Sequence, residues 1–338
     1  MDSSSGSPLA SVSFRTSDFA PAEQFESWRE AMSFMSQVER SEGEATAPFK
    51  AESSAFHLGT LVVGTTAFEG QRFIRDSRRI RRDLLDHVLV QYYRKGSFGG
   101  ETEEREVQVR SGDICVIDLA SASNFLETDS SGIHVMMPRD FLAEAMPVGA
   151  GLNGIVLRDA SAGLLRDFLI SLAAAAPSLS RDQAPNVERA MRDLFAACLA
   201  PSGDRVASAR PQMERLLVNR IRAYVDSNLA CNDLGAEKLC GTFGISRSKL
   251  YRLFEPLGGV SHFIRGRRLL AVYRELRNPS QRSGLAALAE RWDFDSQASL
   301  SRAFRRHFGI TPSQAREGAV PNRALGKDLD SWIRGLAH

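Results

Sequence analysis

The sequence predicts an α+β chain in two parts. The N-terminal part is a β-rich, barrel-like domain with flanking helices; the C-terminal part is an all-α domain of two helix-turn-helix units. Three observations lead there. Between Leu234 and Pro312 a pattern of helix, tight turn and second helix is written twice. Between His57 and Pro138 short β-branched or aromatic runs alternate with Gly, Asp and Ser, as in a barrel or jelly-roll. The charge divides along the same line: residues 211–320 hold 18 Lys/Arg against 10 Asp/Glu, and residues 1–210 hold 22 against 29. A basic helical region suits a polyanion, whereas the acidic remainder suits another partner.

Residues 1–13 are Ser-rich and lack a hydrophobic pattern, so a disordered tail is expected there. The start has no basic, apolar leader, and no apolar run approaches the ~18–20 residues needed to span a bilayer. A cytoplasmic, nucleoid-associated protein with no membrane partner is expected. The first domain, 14–200, opens on a predicted helix over Ala22–Val38, where Phe25, Trp28, Met32 and Met35 recur at helical spacing. Strands are predicted within His57–Phe68, Asp86–Gly100, Arg105–Ala120 and Ile133–Pro138, with a hairpin turn at Ser111-Gly112-Asp113.

Arg72, Arg75, Arg78, Arg79, Arg81 and Arg82 form the densest basic run. A solvated loop paired with Asp76, Asp83 and Asp86 is favoured there over an anion site. His57, His87 and His134 contain no closely spaced pair, which favours a barrel without metal. The four cysteines are too scattered for a disulfide framework, and buried free thiols are expected at Cys115 and Cys240. Two apolar stripes follow, Leu164, Leu165, Phe168, Leu169, Leu172 and then Val187, Ala190, Met191, Leu194, Phe195, Cys198. Their pattern is that of helices that cover the barrel.

The polar, Pro- and Gly-broken stretch 201–212 reads as a linker. The second domain, 213–318, starts with a helix over Met213–Leu229. Each unit then has a short helix closed by a small residue (Cys240 or Ala289), a turn hydrophobe (Ile245 or Phe294), and a Ser placed to cap the second helix. Leu250/Phe254 and Leu300/Phe304 stand four residues apart and so pack on the partner helix. An arginine-rich helix over Ser261–Arg277, stopped by Asn278-Pro279, joins the units; Arg265, Arg267 and Arg268 divide between phosphate contact and packing. In the tail, 319–338, Leu325, Leu329, Trp332, Ile333 and Leu336 share a face.

The segments Leu239-Cys240, Gly244-Ile245-Ser246 and Ile264 to Leu269, with the closing run Phe294 to Arg316, resemble the AraC/XylS-type transcriptional regulators over roughly a hundred residues. Asp293 departs from the pattern, which usually has Gly there; Asp tolerates the left-handed backbone this turn needs. FESWREAMS near the start, IRRDLLDHVLVQ and RSGDICVIDLASASNF resemble, more weakly, the cupin-like sensory domain of one branch of that family. The resemblance implies double-stranded DNA as partner, with Ser248, Tyr251, Arg252, Gln297, Ala298, Ser301 and Arg302 facing bases and Arg247, Lys249, Arg305 and Arg306 on phosphate. It further implies a small-molecule effector, a homodimer in which the two apolar stripes over 160–200 form a dimerising helix pair in place of or besides covering the barrel, RNA polymerase as partner if the protein activates, no cofactor and no catalysis. Two other readings stay open: a cupin-like enzyme fused to a DNA anchor, and a regulator whose N-terminal domain binds a protein.

Overall fold

A computed structural model describes residues 7–41, 47–83, 85–143, 152–199, 209–277 and 283–317. The first domain runs β1 (Ala10–Arg15), α1 (Gln24–Met32), β2 (Gln37–Arg40), β3 (Ala51–Leu58), β4 (Leu61–Phe68), β5 (Gln71–Arg75) and α2 (Ser77–Asp83). It continues with β6 (His87–Lys95), β7 (Phe98–Thr102), β8 (Glu106–Val109), β9 (Ile114–Asp118), β10 (Ser123–Glu127) and β11 (Ser130–Pro138). It ends with α3 (Arg139–Ala143), β12 (Ile155–Leu157), α4 (Ala160–Ala175) and α5 (Ala184–Leu199).

The strands form two antiparallel sheets, in the orders β1-β3-β4-β11-β6-β9-β12 and β2-β5-β10-β7-β8. Neither order returns to its first strand, so the expected barrel is a sandwich of two open sheets. Two of the edges are blunted by brevity: β2 has 4 residues and β12 has 3. Period-two alternation gives the larger sheet two buried faces. Val62, Leu89, Cys115 and Met136 turn inward to meet Val38, Phe98, Val107 and Phe125 of the smaller sheet, with Trp28 of α1 at the end of this core. Val63, Val90, Val116 and Val135 turn outward, where Leu165 and Leu169 of α4 and Met191 and Phe195 of α5 cover them.

The structure corrects several expectations. Ala10 to Ser13 belong to β1, paired with β3, rather than to a tail, because the edge of the larger sheet gives their polar backbone partners. The first helix stops at Met32, and Val38 lies on β2. The run His57–Phe68 is two strands, turned at Gly59 with φ 64°. The arginine run is strand β5 and helix α2, not a solvated loop: Arg75 is 1% exposed and bidentate to Asp83 at 2.7 and 2.8 Å. Asp86 pairs instead with Arg139 at 2.8 Å and Arg222 at 3.4 Å. Ala160–Ser178 is long and apolar enough, by length and composition only, to cross a membrane. Leu165, Leu169 and Leu172 of that stretch pack on the sheet.

The second domain comprises α6 (Ala209–Ser227), α7 (Ala236–Phe243), α8 (Arg247–Phe254), α9 (Val260–Arg277), α10 (Leu285–Arg291), α11 (Gln297–Phe308) and α12 (Pro312–Arg316). Residues 209–212, expected in the linker, are thus the first turn of α6. Residues 1–6, the linker positions 201–208, Asn278-Pro279 and the apolar face of the C-terminal tail lie outside the described residues. Helix α9 has 12 buried positions and serves both units. Phe263 and Ile264 pack into the first unit's core with Leu239, Leu250 and Phe254. Leu269, Val272 and Tyr273 pack into the second with Leu288, Leu300 and Phe304. A helix buried along most of its length on more than one side needs neighbours on each, and the two units supply them.

Candidate nucleic-acid interface

The two units are built by the same local rules. Gly244 caps α7 in the left-handed region, φ 62°, and the Ile245 amide returns to the Cys240 carbonyl at 3.1 Å. In the second unit Asp293 takes that place with φ 53°, and the Phe294 amide returns to the Ala289 carbonyl at 2.8 Å. Asp293 is the single non-glycine residue with positive φ among those described. Ser246 and Ser296 cap the following helices, each accepting from an amide three residues on, Lys249 at 3.2 Å and Ser299 at 3.1 Å. The second turn is one residue longer. Asp293 stands 49 positions after Gly244, whereas Ser296 stands 50 after Ser246. Arg252 and Arg302 are therefore equivalent, as are Tyr251 and Ser301.

Leu250, Phe254, Leu300 and Phe304 are fully buried, which turns the opposite faces of α8 and α11 outward. On α8, Arg247, Ser248, Tyr251 and Arg252 are exposed and Lys249 half-buried. On α11, Gln297, Ala298, Arg302, Arg305 and Arg306 are exposed and Ser301 half-buried. Tyr251, at 50%, is one of the few exposed large hydrophobic side chains described. Arg252 donates to Glu214 of α6 at 2.6 Å, so one of the expected base readers carries an internal counter-charge. Arg247 lies 3.7 Å from Glu237.

The arginines of α9 separate cleanly. Arg267 and Arg268 are 3% and 7% exposed. Arg267 pairs with Asp226 at 2.6 Å. Arg268 donates to the carbonyls of Leu229 and Cys231 and to the carboxylate of Asp293. Both are packing residues and not free for phosphate. Arg265 lies over the Phe294 ring, 5.3 Å from its centroid. The role of Arg268 as a bridge between the units, and of Asp293 as its acceptor, was not anticipated from sequence; the unusual acidic residue in the turn was the available signal.

Inside the sandwich, Trp28, Met32, Met35, Phe73, Val62 and Leu89 line an apolar cavity of about 50 Å³ with Gln91, Thr66 and His134 as its polar side. The Thr66 hydroxyl lies 3.0 Å from His134 Nδ1. Gly64 faces His134 across β4 and β11, and a Cβ there would lie 2.7 Å from Nε2. Burial lowers the His134 pKa to about 4, so the ring is neutral at pH 7. Nearby, Glu127 accepts from the Tyr93 hydroxyl at 3.1 Å, and burial raises its pKa to about 8. Of the expected buried thiols, Cys115 is fully enclosed and Cys240 is half-buried.

Comparison with known proteins agrees with this geometry. A model of the AraC-binding-like domain matches residues 28–200, and a helix-turn-helix domain model matches residues 239–318. The probable transcription factor PqrA of Proteus vulgaris is 29% identical over 114 residues, 32% of this chain and 92% of that protein. The multiple antibiotic resistance protein MarA of Escherichia coli K12 is 28% identical over 110 residues, 32% of this chain and 84% of that protein. The crystal structure of the AraC-like transcriptional activator CuxR has 30% identity and a TM-score of 0.57, covering 79% of this chain and 96% of that one. With an AraC-binding-like domain and a helix-turn-helix domain matched in one chain, the protein belongs to the AraC family of DNA-binding transcription regulators.

Proposed function

We propose that α8 and α11 enter two successive major-groove segments, with Ser248, Tyr251 and Arg252 at base edges in one and Gln297, Ala298, Ser301 and Arg302 in the other. Arg247, Lys249, Arg305 and Arg306 neutralise phosphates beside them. The observation that carries this reading is the equivalence of Arg252 and Arg302, both exposed, on helices capped in the same way and tied by α9. An Arg–guanine pair contributes ~1–3 kcal/mol of discrimination. Footprinting over operator variants tests it: Arg252→Ala relaxes base preference in one segment, Arg302→Ala in the other, about one helical turn (~10 bp) away. If Arg302→Ala changes neither affinity nor preference, the second unit is a scaffold.

The sandwich, on the same proposal, senses a small organic effector in its interior cavity without metal. Support comes from the mainly apolar lining and the few polar groups converging at Gln91, Thr66 and His134. Because the space is small, the effector must displace side chains, and Met32, Met35 and Met136 are the adaptable ones. Dimerisation through α4 completes the proposal: Leu164 is 66% exposed on a helix whose Leu165, Leu169 and Leu172 are covered by the sheet. The chain works in the cytoplasm as a regulator and not as an enzyme. Stoichiometric metal in protein purified without added metal, lost together with activity on chelation, refutes the sensory part.

A further inference from the structure

The first helix-turn-helix unit has a core that its own domain does not complete. Ile80 of α2, 3% exposed, packs in it with Leu257, Val260 and Phe263. Around it the Arg81 carbonyl lies 2.9 Å from His262 Nε2, and Arg81 Cδ would be 3.2 Å from a Cβ at Gly258. Arg222 of α6 adds a second tie, 3.4 Å from Asp86. No residue of the first domain belongs to the second unit's core among the described residues.

The other side of α2 faces the sandwich. Arg79 donates to the Ser33 carbonyl at 2.6 Å, and Arg75, just before the helix, donates to the Met35 carbonyl at 2.7 Å. The segment so held, Ser33 to Met35, contributes Phe34 and Met35 to the wall of the interior cavity. One short helix, with the arginine that ends the strand before it, thus meets a cavity wall through two guanidinium–carbonyl contacts and a DNA-binding core through a buried isoleucine.

We propose that α2 is a coupling element, carrying the state of the cavity wall to the first helix-turn-helix unit and not to the second. This rests on the sandwich being the sensory part, but the contacts themselves are intrinsic to the chain. A ligand that moves Ser33–Met35 shifts α2 and loosens or tightens only α7 and α8. Coupling free energy is reciprocal, so loosening Ile80 must also be felt at Ser33–Met35. The exposed faces of α8 and α11 are not covered by this contact, so the effect is on the first unit's stability and alignment rather than on access.

The test is amide hydrogen exchange on the full-length protein, without effector, comparing Ile80→Ala and Arg79→Gln with the exposed control Arg78→Ala. Ile80→Ala is expected to raise exchange in α7–α8 by about tenfold or more, as removal of a buried side chain at the edge of a core does. Exchange at the Ser33, Met35 and Ser36 amides, which bond to Glu30 and Met32 carbonyls, rises with it, while α10–α11 stay unchanged. Arg79→Gln gives the same pattern at smaller amplitude. Ile80→Val, which keeps most of the side chain, gives a graded version should Ile80→Ala not fold. Equal changes in both units, no change in α7–α8, or an Arg79→Gln effect confined to the sandwich would each overturn the coupling role. None of these depends on the identity of an effector, whose absence from the cavity would be a separate failure, read by ligand titration.

Discussion

Asp293→Gly restores the residue that this turn usually carries, and its effect separates two accounts of the position. If Asp293 is merely tolerated, glycine relieves the left-handed backbone, about 1 kcal/mol for a non-glycine residue, less whatever unfolded-state entropy glycine adds. If it is there to hold Arg268, glycine removes a contact at 2.5 Å to a guanidinium only 9% exposed. Losing one partner of a fully buried pair costs ~3–5 kcal/mol. Here the loss is smaller, because Asp293 is itself 39% exposed and Arg268 keeps the Leu229 and Cys231 carbonyls at 3.0 and 2.9 Å. A solvent-screened figure of ~1–2 kcal/mol outweighs the relieved strain. Asp293→Gly is therefore expected to destabilise the second unit by ~1 kcal/mol, and to loosen its orientation relative to the first. Urea unfolding of the full chain reads the first effect. Binding to operators with one base pair inserted between the two segments reads the second, where the variant discriminates less than the parent. A more stable protein with unchanged spacing preference refutes the bridging role.

Three further outcomes follow from the same geometry. Glu214→Gln frees Arg252 from an exposed partner and raises DNA affinity by no more than about fivefold, the scale of a surface ion pair, in low-salt titrations; a loss of affinity refutes the competition. Arg305→Ala and Arg306→Ala weaken binding to all sequences alike and lower the slope of log K against log salt by about one each; a change in base preference would place them at bases. Glu127→Gln removes a carboxyl whose pKa burial raises from 4.5 to about 8. The native state keeps a proton that the unfolded chain releases, so the parent loses stability as pH rises from 4.5 towards 8, and the amide variant lacks this loss. Chemical melts at pH 5 and pH 8 check it, and an equal slope in both proteins counts against a buried neutral Glu127.

The C-terminal domain was legible because its determinants are local. A Ser cap, a left-handed turn residue and a hydrophobic pair four apart act within a dozen residues, and α8, α9 and α11 appear where those signals put them. The sandwich was legible in class but not in detail. Strands β1, β2, β5, β10 and β12 and most of β3 were missed; most of these are short, and each owes its form to a neighbour outside its own pattern, as β5 owes it to β2 and β10. Arg75 shows the same limit. Its burial depends on Asp83 and on the carbonyls of Met35 and Leu119, none of which a run of arginines announces. Of the residues expected to read DNA, exposure could be anticipated from helical spacing, but the Glu214 partner of Arg252 could not.

The two units share a plan but differ where they would touch DNA. Tyr251 in the first has Ser301 as its counterpart in the second, and Ser248 has Ala298. A bulky exposed aromatic holds a helix farther from the groove floor or packs against a thymine methyl, whereas Ala and Ser let the helix approach. On the proposed reading, then, the segments differ in sequence, and the site is an ordered tandem with no two-fold axis within one chain. The units are tied by α9 and by Arg268, so their order on DNA is fixed by covalent connection and not by symmetry. An operator with its two segments exchanged tests this directly. Binding should fall towards the level of a site carrying one correct segment, and full affinity for the exchanged operator would show that the units read interchangeably.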